Sequence, residues 1–341
     1  MSTQIDVIAP NLKRRLSGVT ATVVRLLPVQ AHQIGIVATG PGLPSHVPHI
    51  SLWRLPFLPR HTRVWHARRN VEMLLGLALK YLCRMDLRLL FTSASQRKHS
   101  GYTKWLIGQM DRVIATSSRT AQYLDRPCDV VLHGIDVDGF APAHDRAALR
   151  ARLGLPDAVL IGCYGRIRAQ KGTGDFIEAM VQILPQRPQA VAVVMGRATE
   201  KHVDYLKQLK AQVAAAGLSD RVLFPPEVPV HEVADWYRAL DLYVAPQRWE
   251  GFGLTVPEAM ACAVPVIATK VGAFEEIVTS ECGALVDPGD PVALGAGIAA
   301  FVDDPDKCRM AGDAARAHVE AQFKIEGEAA RLVQIYREML A

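Results

Sequence analysis

Two glutamates on either side of a glycine-rich turn are the residues of this 341-residue chain whose spacing says most about chemistry. Seven residues separate Glu250 from Glu258, and Gly251 and Gly253 lie between them. Glycines let backbone N–H groups approach a ligand closely, and the N-terminus of a helix attracts phosphate. A carboxylate can accept two hydroxyl hydrogen bonds at once, which suits the vicinal diols of a sugar or a ribose. The pattern therefore predicts two carboxylates that flank a bound sugar phosphate.

Each glutamate also has a simpler structural interpretation. Thr255 and Glu258 have the spacing of a capping box, which alone would explain an acidic residue at the start of a helix. Glu250 would then belong to a solvated loop. Neither interpretation explains both carboxylates together with the glycines, so we favour ligand binding and keep the capping box as the alternative for Glu258.

Two cations occur in a second loop that follows a buried strand. Arg166 and Lys171 come after the apolar run 159–164 and before a helix that is predicted to begin near Gly172. A diphosphate in this loop would meet two positive charges and backbone donors. The alternative is a pair of solvated cations. The segment is not a P-loop, because the G-x-x-x-x-G-K-[ST] pattern is absent.

Alternating strands and helices must position these loops. Apolar, β-branched runs alternate with segments of helical period along the whole chain, which is typical of parallel sheets covered by helices on both faces. Ligands in such folds lie beyond the carboxyl ends of the strands. The predicted strands are residues 5–9, 34–39, 87–92, 112–116, 129–132, 159–164, 190–195, 222–224, 241–245, 264–269 and 284–286. The predicted helices are residues 19–27, 66–82, 118–124, 172–184, 200–216, 231–239, 305–322 and 325–340.

The length of the chain favours two domains. A glycine- and proline-containing segment at residues 138–158 interrupts the strand pattern, and a new strand begins directly after it. We therefore predict a first domain of residues 1–150 and a second of residues 151–324. The last helix, residues 325–341, is predicted to cross back to the first domain.

At these residues the chain resembles the retaining nucleotide-sugar glycosyltransferases with the GT-B fold, specifically glycosyltransferase family 4. That family carries a Glu-x7-Glu motif, here Glu250 and Glu258. Segments similar to its others lie in the expected order along the chain, at 161–172, 194–197, 245–250 and 264–269. The resemblance implies two Rossmann-like domains facing each other across a cleft, with the nucleotide-sugar donor on the second. Within the family the chain looks most like bacterial lipopolysaccharide-core mannosyltransferases. This implies that a hexose, mannose from GDP-mannose, is transferred with retention to a glycolipid acceptor.

The resemblance also implies roles for individual residues. Arg166 and Lys171 would hold the donor diphosphate and stabilise the leaving nucleoside diphosphate, Glu258 would bind the ribose and Glu250 the donor sugar. No protein nucleophile is implied, so catalysis would rest on positioning and on charge stabilisation. The other donor-binding positions implied are Gly18, Gly196, Arg197, Gly251, Phe252, Gly253, Leu254 and Thr255.

Three segments depart from the family pattern or imitate another motif. Members often carry a histidine soon after the fourth strand, and His99 is only near that position. His133 stands where relatives commonly have asparagine. Asp136 and Asp138 form a D-x-D, the metal motif of the other large glycosyltransferase fold. Because this D-x-D follows the last strand of the first domain, we expect a turn or the start of a helix there. We predict no metal and no cofactor.

The charge distribution suggests an anionic partner for the first domain. Residues 1–150 hold twenty Lys and Arg against nine Asp and Glu, a net +11, whereas residues 151–341 hold nineteen against twenty-five, a net −6. Residues 53–69 interleave aromatic residues with five arginines, which suits a membrane surface or an anionic glycolipid acceptor. The alternative is a solvated basic face, and no RNA-binding motif occurs. The candidate contacts are Arg68, Arg69, Arg97, Lys98 and His99.

Other features bound the class of protein. The chain has no run of eighteen apolar residues and no signal-peptide pattern, and its six cysteines are scattered without metal-site spacing. We therefore expect a cytoplasmic protein that can lie at the cytoplasmic face of a membrane. Two alternatives stay open: a related enzyme that uses a UDP-sugar for another glycan, and a non-catalytic subunit that binds nucleotide sugars.

Overall fold

The computed structural model describes residues 4–13 and 18–341. The chain divides into two compact units. Unit 1 comprises Met1–Gly134 with Ile325–Ala341, and unit 2 comprises Ile135–Lys324. Each unit is an α/β fold around one six-stranded, all-parallel sheet, as the sequence predicts. The cleft expected between the domains stays a prediction.

Unit 1 has the sheet order β2-β1-β3-β4-β5-β6. Successive side chains of a strand point to opposite faces, and here both faces are covered. Val7 and Ala9 pack on one face with the first and last helices, whereas Ile8 packs on the other face with the two helices between β3 and β5. The elements are β1 (Val7–Pro10), α1 (Gly18–Gln30), β2 (Ile36–Thr39), β3 (Arg63–Ala67), α2 (Asn70–Tyr81), β4 (Leu87–Ser93), α3 (Gly101–Gly108), β5 (Arg112–Ala115), α4 (Ser118–Ala121) and β6 (Asp129–Val130), with α13 (Ile325–Leu340) closing the chain.

The central strand β3 corrects the sequence-based prediction, which placed a helix from residue 66. Trp65 is fully buried on this strand, and its indole N–H donates to the Glu72 carbonyl at 2.8 Å. Helix α2 makes room for the indole at Gly76, where an added Cβ atom would lie 2.5 Å from the Trp65 ring. The strand was missed because it is short and includes buried Arg63 and His66, so it lacks a continuous apolar run.

Unit 2 has the sheet order β12-β11-β10-β7-β8-β9. Predicted strands at 159–164 and 190–195 and the predicted helix at 305–322 are confirmed residue for residue. The elements are α5 (Arg146–Leu153), β7 (Val159–Tyr164), α6 (Thr173–Ile183), β8 (Ala190–Met195), α7 (Val203–Ala215), β9 (Val222–Leu223), α8 (Val233–Arg238), β10 (Leu242–Ala245), α9 (Thr255–Ala261), β11 (Val266–Thr269), α10 (Phe274–Ile277), β12 (Gly283–Val286), α11 (Pro291–Val302) and α12 (Pro305–Gln322).

The division between the units lies earlier than the predicted division at residue 150. It falls between Gly134 and Ile135, directly after the last strand of unit 1. Helix α5 belongs to unit 2 because its first residue, Arg146, donates to Asp241 at 3.0 Å, just before β10. The interruption of the strand pattern therefore marks the first turn and helix of unit 2.

The order of strands in unit 2 defines where a ligand can bind. From β7 the chain builds outward through β8 and β9, then returns to the other side of β7 with β10 and builds through β11 and β12. The loops after β7 and β10 therefore leave in opposite directions from adjacent strands. A crevice at such a reversal of strand order is the usual ligand site of open α/β sheets. Arg166 and Lys171 follow β7, and Glu250 follows β10.

Candidate active site

The loops after β7 and β10 are in direct backbone contact. Gly172 has φ +69°, and an added Cβ atom would lie 1.7 Å from the carbonyl oxygen of Pro246. The Arg248 N–H donates to the Gln170 carbonyl at 3.1 Å in the same region. Only glycine satisfies both the left-handed backbone and the close approach. Packing between the two loops therefore requires glycine at position 172, whether or not the loop also binds a ligand.

The loop after β8 closes on the loop after β7 in a similar way. Gly196 has φ +152°, and an added Cβ atom would lie 1.7 Å from the Gly165 carbonyl oxygen. The Ile167 N–H donates to the Arg197 carbonyl at 3.2 Å, while the Arg197 side chain is exposed. The predicted donor-binding residues Gly196 and Arg197 thus lie at the same edge of the sheet as Arg166.

The structure joins two predicted catalytic residues in one ion pair. The Lys171 ammonium donates to Glu250 Oε2 in a short contact, and the Gly251 N–H donates to Glu250 Oε1 at 2.9 Å. Both side chains are only partly exposed. An ammonium group has three N–H donors, so Lys171 can keep Glu250 as one partner and still donate to a phosphate. The pair also fixes the Glu250 carboxylate at the crevice.

Arg166 lines a small pocket at the carboxyl end of β7, together with Lys171, Thr173 and Gln247. Thr173 is the first residue of the eleven-residue helix α6. The unpaired N–H groups of this first helical turn carry partial positive charge, and they add to the charges of Arg166 and Lys171. These positive charges therefore favour a phosphoryl group at this edge of the sheet.

Glu258 lies in the first turn of α9, but not as part of a capping box. The N-cap residue of α9 is Leu254, no side chain in the described parts of the chain caps this helix, and Thr255 is already its first residue. The capping-box alternative is therefore wrong. The Tyr237 hydroxyl lies 3.5 Å from Glu258 Oε2, and the carboxylate is partly exposed. Glu258 is thus a partly exposed carboxylate at the start of α9.

The glycine-rich turn between the two glutamates is held by the segment after β11. Gly253 has φ +98°, and an added Cβ atom would lie 2.1 Å from Phe274 Cε1. The Ala273 N–H donates to the carbonyl of Phe252, whose side chain is buried. The sequence predicted the turn, but it held no signal that Phe274 would pack beneath it.

A second ion pair, which the sequence did not predict, joins the same two loops. The Arg248 guanidinium donates to both carboxylate oxygens of Asp175, at 2.8 and 2.5 Å. Asp175 is in the first turn of α6 and its side chain is only 8% exposed, and the bond to it raises the pKa of Arg248. The partners are 73 positions apart in the sequence, so they leave no spacing pattern, and opposite charge next to both site loops was the one available signal.

In unit 1, Arg69 does not lie on the surface that the charge pattern predicts. Its side chain is 11% exposed, and its guanidinium donates to Glu72 Oε1 at 2.6 Å, Asn11 Oδ1 at 3.0 Å and Thr20 Oγ1 at 3.1 Å. Glu72 is fully buried. Arg69 therefore ties the loop after β1 to α1 and α2, at the reversal of strand order in this sheet.

Arg68 is partly buried and lines a polar pocket of unit 1 with His66 and Thr92. His66 Nδ1 lies 2.7 Å from the Tyr336 hydroxyl, and Nε2 lies 2.6 Å from Thr92 Oγ1. Burial holds the pKa of His66 well below its usual value, and the charge of Arg68 lowers it further. His66 is therefore a neutral hydrogen-bonding group in the folded protein.

His133 contributes to a contact between the last strand region and the last helix of unit 1. Its Nδ1 lies 2.9 Å from Glu328 Oε1, and the Gly134 N–H donates to Glu328 Oε2 at 2.8 Å. His133, where the chain departs from the family pattern, therefore anchors α13 to the end of β6.

The remaining basic candidates lie before α3. Arg97 and Lys98 are exposed, and His99 is partly buried. Burial lowers the pKa of His99, with a further contribution from Arg97. No hydrogen bond in the described parts of the chain connects His99 to the pocket of Arg68, so its predicted catalytic role stays a prediction.

Exposed aromatic side chains lie on two helical segments of unit 1. Trp53 and Phe57, on a short 3-10 helix (Leu52–Phe57), are 71% and 81% exposed. Tyr102 and Trp105 stack on the outside of α3, with ring centroids 6.3 Å apart. By contrast, Trp65 of the same predicted aromatic–basic stretch is buried. The exposed part of that stretch is therefore smaller than the sequence suggested.

Two further predicted features can be placed. Helix α1 begins at Gly18, one of the implied donor-binding positions, while Leu16 and Ser17 directly before it lie outside the described residues. Asp136 of the D-x-D accepts from the Gly139 N–H at 2.9 Å, which is the turn expected there. Within residues 4–13 and 18–341, no group of three or more His, Cys, Asp and Glu side chains is arranged to hold a metal ion.

Comparison with known proteins defines the class to which this fold belongs. The family model for glycosyl transferases group 1 matches residues 145–318. With the full-length relatives below, this shows that the chain belongs to the group 1 glycosyltransferases and has the GT-B fold.

Two relatives match nearly the whole chain. It is 50% identical to the lipopolysaccharide core biosynthesis mannosyltransferase LpsB of Rhizobium meliloti, over 98% of both chains. It is 49% identical to the corresponding mannosyltransferase LpcC of Rhizobium leguminosarum bv. viciae, over 98% of this chain and 97% of that one. The crystal structure of Alr3699/HepE from Anabaena, in complex with UDP, matches in fold with a TM-score of 0.85 at 19% identity, covering 98% of this chain and 100% of that chain.

In the described parts of the chain, none of the helices has both the length and the apolar character needed to cross a bilayer.

Proposed function

We propose that this glycosyltransferase moves mannose from GDP-mannose to a lipopolysaccharide-core acceptor, with retention of anomeric configuration. The observation that carries the proposal is the 50% identity to LpsB across nearly the full length of both chains. The UDP in the Anabaena structure belongs to a protein only 19% identical, so it does not bear on the nucleotide used here.

Arg166, Lys171 and the first turn of α6 supply the positive charge for the donor diphosphate. Negative charge builds up on the leaving nucleoside diphosphate as the bond to the sugar breaks, and fixed cations at that place stabilise the transition state. These groups perform the task that a divalent cation performs in other glycosyltransferases. We therefore propose transfer without a metal ion, and the support is that Arg166, Lys171 and the first residue of α6 line one small pocket.

Glu250 and Glu258 orient the donor in this proposal. Glu258 at the start of α9 accepts from the ribose hydroxyls, and Glu250 accepts from hydroxyls of the transferred sugar while Lys171 bridges it to the diphosphate. The acceptor oxygen bonds to the anomeric carbon on the face from which the diphosphate departs. The acceptor proton passes to the departing phosphate oxygen, so the protein contributes no nucleophile.

Unit 1 is the acceptor-side unit in this proposal. Arg68 lines a polar pocket at the carboxyl ends of β3 and β4, where a cation suits an anionic glycolipid. The exposed Trp53 and Phe57, with basic side chains nearby in sequence, suit the interface of an anionic membrane that carries such an acceptor.

The membrane contact is tested by sedimentation with vesicles of phosphatidylglycerol and phosphatidylethanolamine. The double variant Trp53→Ser/Phe57→Ser is expected to lose most of the vesicle-bound fraction. The control is Val230→Ser, which removes a 90% exposed apolar side chain of unit 2 and should bind as the wild type does. Equal binding of all three proteins would rule out this surface.

The donor is tested by a thermal-shift panel of nucleoside diphosphates and their sugars, with and without EDTA. Stabilisation by GDP and GDP-mannose that EDTA does not change is the expected result. Stabilisation by UDP compounds alone would replace the donor but leave the enzyme class. No response to any nucleotide, with no turnover, would favour a non-catalytic role. The anomeric configuration of the product, read by NMR, tests retention.

A further inference from the structure

Gln247 is a buried polar residue at the crevice of unit 2 to which no role has been given. It follows β10 and is 4% exposed. Its side-chain oxygen, Oε1, is enclosed and has no hydrogen-bond partner among the residues that the structure describes. Buried polar side chains in folded proteins normally have a partner, and an acceptor without one destabilises the unliganded state. An exception placed at a ligand site therefore calls for a functional explanation.

The backbone around Gln247 is held by three independent contacts. The Thr269 hydroxyl donates to the Gln247 carbonyl at 2.6 Å. The preceding carbonyl, of Pro246, packs against Gly172, and the next N–H, of Arg248, donates to Gln170 at 3.1 Å. Gln247 therefore cannot reach another partner by a shift of its own segment, because such a shift would displace the loop after β7.

The surroundings of Gln247 indicate which group would bind to it. It lines the same pocket as Arg166, Lys171 and Thr173, the groups placed to hold a phosphate. A carbonyl oxygen only accepts hydrogen bonds, and the oxygens of an ionised diphosphate also only accept them. The partner of Gln247 must therefore be a donor next to the phosphate. On a nucleoside diphosphate sugar, the hydroxyls of the ribose and of the hexose meet this requirement.

We propose that Gln247 is a donor-binding residue, whose Oε1 accepts a hydrogen bond from a hydroxyl of the nucleotide sugar held beside Arg166 and Lys171. This inference rests on the proposed function. It adds a third acceptor to the two glutamates. Unlike them it is uncharged, so it can lie close to the diphosphate without repelling it. Binding of the donor supplies the partner that residues 4–13 and 18–341 do not provide.

The test is the variant Gln247→Met, which keeps the approximate size of the side chain and removes its polar atoms. Affinity is measured by isothermal titration calorimetry for GDP and for GDP-mannose, or for UDP and UDP-glucose if the panel selects uridine. We expect the Kd of GDP-mannose to rise about tenfold or more, while the Tm of the unliganded protein stays the same or rises. Gain of stability with loss of affinity is a combination that a structural glutamine would not produce.

A second variant and a control complete the experiment. Gln247→Glu keeps the acceptor but places a negative charge beside the diphosphate, so it should weaken binding of both nucleotides. Gln30→Met is the matched control, because Gln30 of unit 1 is also buried and its Oε1 also has no partner among the described residues. That variant should bind nucleotide as the wild type does.

The affinities of Gln247→Met show whether the hydroxyl comes from the ribose or from the hexose. They also distinguish failure of the role of Gln247 from failure of the proposed function. If Gln247→Met weakens GDP and GDP-mannose equally, the hydroxyl belongs to the ribose. If it weakens only GDP-mannose, the hydroxyl belongs to the hexose. A Kd within twofold of wild type for both ligands would overturn the role of Gln247. Absence of nucleotide binding by the wild type would instead overturn the proposed function, and the inference with it.

Discussion

The bond between Arg248 and Asp175 leads to a quantitative prediction about how the site is held together. Arg248 precedes Glu250 by two residues, and Asp175 lies in the first turn of α6, four residues after Lys171. The guanidinium and the carboxylate form two hydrogen bonds, at 2.8 and 2.5 Å. This bond therefore joins the two loops that carry the predicted catalytic residues. We expect the variant Arg248→Met to loosen Glu250 relative to Lys171.

The expected energy follows from the charge and the exposure of the partners. Hydrogen bonds to charged groups contribute about 1.5–3 kcal/mol when shielded from water. Asp175 is 8% exposed, but Arg248 is 54% exposed, so solvent screening reduces the value. The N-terminus of α6 also stabilises the Asp175 carboxylate when its partner is removed. We therefore expect a coupling of about 1–2 kcal/mol between the two side chains.

A double-mutant cycle measures this coupling. The free energy of unfolding is determined in urea for the wild type, Arg248→Met, Asp175→Asn and the double variant. Donor KM and kcat are measured on the same proteins, and Arg248→Met is expected to raise KM several-fold because the loop of Glu250 is less well held. The control is Arg187→Met, which breaks a similar two-bond contact with Asp303 outside the site, at 2.8 and 2.6 Å.

Two results would refute this reasoning. A coupling below about 0.3 kcal/mol would mean that the ion pair contributes no more than a solvated surface pair. An equal change of donor KM in Arg248→Met and Arg187→Met would mean that the effect is a general loss of stability. In either case the contact between the loops would depend on the backbone alone.

Three further predictions concern single residues. Glu258→Ala should raise the Kd of the nucleoside diphosphate at least about tenfold in calorimetry with little change in Tm, since Glu258 does not cap α9, and an unchanged Kd would remove its ribose role. Gly172→Ala should lower the free energy of unfolding in urea by at least about 1 kcal/mol, because φ is +69° and the new Cβ would meet Pro246; a loss below about 0.5 kcal/mol would contradict this contact. The pKa of His66 is lowered on folding, so below about pH 6.5 the unfolded chain takes up a proton that the folded chain does not. Below about pH 6.5 the free energy of unfolding should therefore fall by up to about 1.4 kcal/mol per pH unit. The difference in unfolding free energy between wild type and His66→Phe should shrink from pH 7.5 to 5.5. A constant difference would show that His66 does not titrate on unfolding.

The sequence alone determined the fold class and the loops of the site. Alternating apolar runs and helical segments depend on local periodicity, so most strands of unit 2 were predicted within two residues. Arg166, Lys171, Glu250 and Glu258 were found because each follows a strand or begins a helix, and the ends of elements are marked by glycine and proline. These signals are local and need no knowledge of which strands are neighbours.

Only the tertiary structure decided which of these residues meet. Lys171 and Glu250 are 79 residues apart, and they pair because β10 inserts beside β7 after the chain has built β8 and β9. The same insertion buries Gln247. Sequence reasoning also assigned Arg69 to the surface, since its charge suggests exposure, whereas the fully buried Glu72 holds it inside unit 1. Burial and partner depend on packing between distant segments, and no local pattern contains that information.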